Sequence, residues 1–144
     1  MNKVSSQVLI ILLVLFSAVV QAEDLPDIIE SGLEIYKEKG SGAAVEAWIK
    51  GGPMDGTGDF LPNASTLLEQ IDGFFGEYQS RDVYKKNSLG PRSNVYLVTL
   101  NYTKGVLYAK FFTYKPEKGK EILQSFDFAT EVDQVWPSFI VYGK

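Results

Sequence analysis

Few residues in this sequence could do chemistry, and the missing types decide much. The chain of 144 residues has no histidine and no cysteine. Histidine general bases, histidine metal ligands, Ser-His-Asp arrangements, thiolate nucleophiles and zinc–sulfur sites are therefore excluded together. Acid–base or electrostatic work is left to Asp, Glu, Tyr, Lys, Arg and Ser. Asp127 stands out by its neighbours, Phe126 and Phe128, in a strand-like run near the C-terminus. Side chains alternate along a strand, so Asp127 points away from both rings. It is expected at the surface or in a salt bridge, and Lys110, inside another apolar run, could pair with it or snorkel to an edge. Arg81 and Arg92 flank a weak strand and its turn. Each could grip an anion, although a surface arginine is the simpler reading. Asn63-Ala64-Ser65 and Asn101-Tyr102-Thr103 match the glycosylation acceptor pattern, which matters only in a eukaryotic secretory route. No metal site and no cofactor is expected.

The elements that must position these residues begin after an apolar start. Lys3 is followed by an apolar run from Val8 to Val20 in which Ser17 is the one polar residue. Thirteen residues fall short of the ~20 needed to cross a hydrocarbon core as helix. A short basic start, a short apolar middle and small residues at the end predict a signal peptide over residues 1–22, cut after Ala22. The product is expected in a secreted or periplasmic location, without a membrane span. Residues 23–144 then form a single domain, whose stability must come from its core because no disulfide is possible. Charge is uneven along that domain. Residues 23–77 carry 12 acids and 3 bases, residues 78–144 carry 6 acids and 10 bases. The balance is acidic overall, and no nucleic-acid partner is expected.

Pro26 suits the first turn of a helix carrying Ile28, Ile29, Leu33 and Tyr36 on one side, ended by Gly40-Ser41-Gly42. A shorter helix over residues 43–50 presents Ala44, Ala47 and Trp48, and Gly51-Gly52-Pro53 stops it. A third helix, capped by Asn63 or Ser65, carries Leu67, Leu68, Ile71, Phe74 and Phe75 as a core stripe. From Tyr78 onward strand formers dominate. The expected strands are 78–89 (a polar edge), 94–102, 106–115 and 121–129. A helical turn is expected over 130–136, and Phe139–Tyr142 as a short strand or cover. Thr103-Lys104-Gly105 reads as a three-residue hairpin that pairs Tyr102 with Val106. That register puts Tyr96, Val98 and Leu100 on one face with Phe112, Lys110 and Tyr108. Both faces are apolar, whereas a sheet with one wet face alternates more cleanly. One face must meet the helices, the other a second subunit, the C-terminal tail, or both.

Helices followed by a meander predict an α+β fold. The order helix–helix–helix–strand, the Phe-rich third helix and the run Val98–Tyr102, Gly105–Tyr114, Ile122–Phe128 resemble the NTF2-like superfamily, with its SnoaL-like and ketosteroid-isomerase-like members. The resemblance implies three N-terminal helices on a cone-shaped antiparallel sheet of at least four strands. It also implies an apolar pocket between helices and sheet, and dimers formed through sheets. Trp48, Tyr96, Tyr108, Phe112 and Phe126 could line such a pocket, or simply be core. Enzymes of this class use a carboxylate in an apolar cavity as general base, a role Asp127 would take with Tyr108. The leading expectation is an exported non-catalytic module that binds a small apolar ligand or a protein partner, as a homodimer. The alternative is a lyase or isomerase built on Asp127.

Overall fold

The structure, a computed structural model, describes residues 24–143. The expected signal segment, residues 1–22, lies outside the described residues. Helix α1 spans Asp27–Lys39, with Asp27 and Glu30 in its first turn and Lys37 and Lys39 in its last. That arrangement matches acid to the positive end of the helix dipole and base to the negative end. Gly40, at φ +88°, ends the helix in a conformation that side-chain-bearing residues avoid. Helix α2, Ser41–Ile49, starts at once. The two helices meet where Trp48 lies over Gly32, with indole Nε1 donating to the Ile29 carbonyl at 3.1 Å.

Helix α3 spans Phe60–Phe75 and starts earlier than its polar residues suggest. Pro62 is its third residue, where the missing N–H costs no helical bond. Asn63 and Ser65 therefore lie inside the helix and do not cap it. The core stripe is also narrower than expected. Leu68 and Ile71 are buried, Phe75 is half-buried, and Leu67 and Phe74 face out at 41% and 76% exposure.

Four strands follow: β1 Tyr78–Ser88, β2 Ser93–Tyr102, β3 Val106–Tyr114 and β4 Ile122–Ala129. They form one curved antiparallel sheet in the order β1-β2-β3-β4. Register shifts interrupt β1 twice and the β3–β4 ladder once, and extra residues of this kind bend a sheet.

The β2–β3 hairpin departs from the expected register by one residue. Asn101 pairs with Val106, and Tyr102 N donates to Gly105 O at 2.9 Å, so the loop is Thr103-Lys104 alone. Two-residue hairpins ordinarily need positive φ, which neither residue has. Tertiary bonds hold this turn instead. Thr103 N donates to Glu77 O, Lys104 N to Phe75 O, and Thr103 Oγ1 to Phe75 O. Gly105 serves close approach, since a Cβ there would strike the Phe75 ring.

A slip of one residue exchanges every side chain between faces. Tyr96, Val98 and Leu100 therefore share the helix-side face with Phe111, Ala109 and Leu107, and with Phe126 and Phe128 of β4. The reverse face carries Val95, Leu97 and Thr99 with Phe112, Lys110 and Tyr108, and then Ser125, Asp127 and Ala129.

Not all helical structure precedes the sheet. A 3-10 turn, Val132–Gln134, and helix α4, Ser138–Tyr142, come after it. Residues 139–142 are thus helical rather than a strand. They form a cover over the reverse face, where Val135 and Trp136 are buried against Leu97, with Val95, Tyr108, Ile140 and Val141 around them. Trp136 Nε1 donates to the Ala109 carbonyl at 3.0 Å. The fold is α+β, and among the described residues no helix is long and apolar enough to cross a membrane.

Candidate functional site

The sheet divides the five aromatic residues that could have shared a pocket. Trp48, Tyr96 and Phe126 lie on the helix side, while Tyr108 and Phe112 lie on the reverse face. The helix side is filled. Trp48 is fully buried and meets Phe111, Phe126 and Phe128 at ring separations of 5.7, 5.7 and 5.9 Å. Rings at these separations are in van der Waals contact and leave no ligand-sized space between them.

Asp127 lies on the reverse face, with Oδ2 at 3.3 Å from Lys110 Nζ and its side chain 59% exposed. The expected ion pair is present. Tyr108 is on the same face, one non-adjacent register step away, opposite Ala129. Its ring packs edge-on against Trp136 at 5.5 Å. The two do not face a common apolar enclosure. Arg81 is bound to Glu30 of α1 through Nε and Nη2, and Arg92 to Glu117. Asn63 is exposed, while the Asn101 amide donates to Ser80 and Asp82.

One of several surface grooves of similar size lies along the edge of β4. A groove of about 530 Å³ is lined by Phe60, Ala64 and Leu67 of α3, by 126–129 of β4, and by Gln134 and Val135. Four consecutive strand residues can border one groove only at the strand's edge, because alternation sends their side chains to opposite faces. β4 is the last strand of the sheet, and among the described residues none of its backbone groups bonds outside the β3 ladder. The groove thus joins an apolar wall to a row of unpaired backbone donors and acceptors. Periodicity could not reveal it, because its walls are far apart in sequence.

A second polar feature sits at the opposite end of the helix layer. Tyr36 OH donates to Asp72 Oδ1 at 2.7 Å and lies 2.9 Å from Tyr102 OH. Since Tyr36 has one proton and gives it to Asp72, Tyr102 is the donor in the phenol pair. Tyr78 stacks on Tyr36 at 5.2 Å. Burial pushes the Tyr36 and Tyr102 phenols well above the usual range, and burial with the nearby Glu30 charge pushes Tyr78 up to about 12. Burial also raises Asp72, partly offset by the Tyr36 hydrogen bond. All three phenols are thus neutral at ordinary pH; Tyr36 and Tyr102 act as hydrogen-bonding groups and Tyr78 as a stacking ring, not as bases. The spacing of Tyr36, Asp72 and Tyr102 in sequence gave no signal of this chain of contacts.

Among the described residues, no group of three or more His, Cys, Asp or Glu is placed to hold a metal ion. Comparison with protein-family models, with curated proteins and with solved structures finds no match.

Proposed function

We propose that this chain is an exported, non-catalytic module of NTF2-like architecture that binds a protein partner along the free edge of β4. Export rests on the sequence of residues 1–22, and the NTF2-like reading on three helices followed by a bent meander. The observation that carries the binding reading is the apolar groove beside an unpaired strand. Such an edge accepts an extended polypeptide through main-chain hydrogen bonds, while the adjoining pocket selects side chains.

Of the two kinds of ligand expected from the sequence, the packed helix side favours the protein. A small apolar ligand would need the space that Trp48, Phe111 and Phe126 occupy. A homodimer through the reverse face has less surface to use than a bare sheet would offer, because Trp136 and α4 cover its centre. An isomerase on Asp127 would need a shielded carboxylate, and this one is exposed and paired.

Site-specific photo-crosslinking in the native cell tests the proposal. A crosslinker at Leu67 or Gln124, beside the groove, is expected to give a discrete protein adduct. One at Glu38, on the outer side of α1, is expected to give none. Adducts of equal yield at all three positions, or at none, would overturn it.

A further inference from the structure

The two edges of the sheet are guarded differently. β1 carries Arg81, Lys85 and Lys86 and is broken by two register shifts. Basic side chains and bulges are the usual means of stopping a strand from pairing with another chain. β4 has no basic residue. Its single irregularity leaves Gln124 out of the pairing, so Ser125–Ala129 remains a regular run of five.

Charge around the groove is one-sided as well. Neither α3 nor the stretch 122–142 contains a Lys or Arg. Asp127 lines the groove. Exposed Asp59 precedes its Phe60, and Glu131 accepts a hydrogen bond from its Gln134 at 2.9 Å. Lys110, one strand in, offsets part of the Asp127 charge.

The geometry points to an occupant of defined pattern, on the reading that β4 binds a polypeptide: an extended segment that alternates apolar and basic side chains. Antiparallel partners directly opposite share a face. Positions opposite Phe126 and Phe128 enter the helix side, where Phe60, Ala64 and Leu67 meet them. The position opposite Asp127 emerges on the reverse side, beside a carboxylate and near Glu131. One side chain in two is therefore apolar and the next is basic. A second copy paired β4 to β4 would bring two acidic edges together, which disfavours that occupant.

Three seven-residue peptides test this with the full processed protein: valine alternating with lysine, with serine, and with glutamate. Binding is read by amide hydrogen exchange over residues 122–129 and by titration. The lysine peptide is expected to protect Ser125–Ala129 and to bind about tenfold more tightly than the serine peptide at low salt. The glutamate peptide is expected not to bind. The preference for lysine should shrink in high salt and in Asp127→Asn. Equal protection by all three peptides would overturn the charge pattern while leaving the edge-binding reading intact. No protection by any peptide would overturn both. Protection of β4 that grows with protein concentration alone would assign the edge to a second copy and overturn the proposal.

Discussion

Each face of the sheet is closed by one tryptophan, and the two closures are built differently. On the helix side Trp48 is fully buried and its indole N–H is given to Ile29, the backbone of a neighbouring helix. Four aromatic rings, Phe60, Phe111, Phe126 and Phe128, continue that cluster through contact with Trp48 or with each other. On the reverse side Trp136 is 6% exposed and gives its N–H to Ala109, the backbone of the sheet itself. Among the described residues two aromatic rings meet it, Tyr84 and Tyr108. Tyr84 reaches it from a residue that the β1–β2 register skips, a bulge that re-aims a side chain. One closure ties elements to each other; the other lays a short tail onto a finished surface. The helix side should therefore govern global stability, and the reverse side local order.

Trp48→Ala makes the sharpest break. It removes the centre of the aromatic cluster and the indole donor that ties α2 to the Ile29 carbonyl of α1. A loss of about 3–5 kcal/mol is expected, a large share of a domain's total. Denaturant unfolding followed by far-ultraviolet circular dichroism would measure it. Trp136→Ala is expected to cost less, about 3 kcal/mol or below, because the site opens to water instead of leaving a cavity. Its signature is local. Amides of residues 132–142 should lose protection from hydrogen exchange while β2 and β3 keep theirs. Equal losses of global stability in the two variants would remove the distinction between the faces.

A third comparison lies between two glycines. Gly32 is buried in α1 with the Trp48 ring against it, so a methyl group there would collide. Gly32→Ala is expected to destabilise by about 1–3 kcal/mol despite the better helix propensity of alanine. At Gly73, in the exposed part of α3, a methyl group would meet nothing within 4 Å. Gly73→Ala is expected to stabilise by about 0.4–1 kcal/mol. Thermal melts of the pair should move in opposite directions. A gain in both would mean that Trp48 can give way, and its seat would not be the fixed point described above.

The strands were legible to within a residue or two because β-branched and aromatic runs end at turn residues, as at Gly90-Pro91 and Pro116-Glu117. Facing was not legible. It depends on one loop length, and the Thr103-Lys104 turn is set by bonds from Phe75 and Glu77 that no local pattern contains. The same error placed Phe112 and Tyr108 with Tyr96. In α3 the apolar residues cover a wider arc than the contact surface, so Leu67 and Phe74 face out. Leu67 then serves the groove wall, a role that periodicity assigns to the core. The groove itself had one trace in the sequence. Residues 51–80 and 121–143 contain no basic side chain, which is the charge pattern of its walls.

The smallest effect concerns the Tyr36–Asp72–Tyr102 polar seam of the helix side. Asp72 is half-buried and its pKa is raised in the fold, chiefly by burial. The folded chain therefore holds that proton more tightly than the unfolded chain, whose value is about 3.9. Stability from this group is complete below the unfolded value and is lost as pH rises through the folded one. Asp72→Asn keeps an acceptor for Tyr36 and removes the charge. Its stability relative to the native protein should rise across the same window, from about pH 4 upward, and then level off. Urea unfolding of both proteins at a series of pH values would show this difference. A difference that falls with pH would mean that the ionised carboxylate, held by Tyr36, strengthens the seam. The polar corner would then add to the closure of the helix side instead of weakening it.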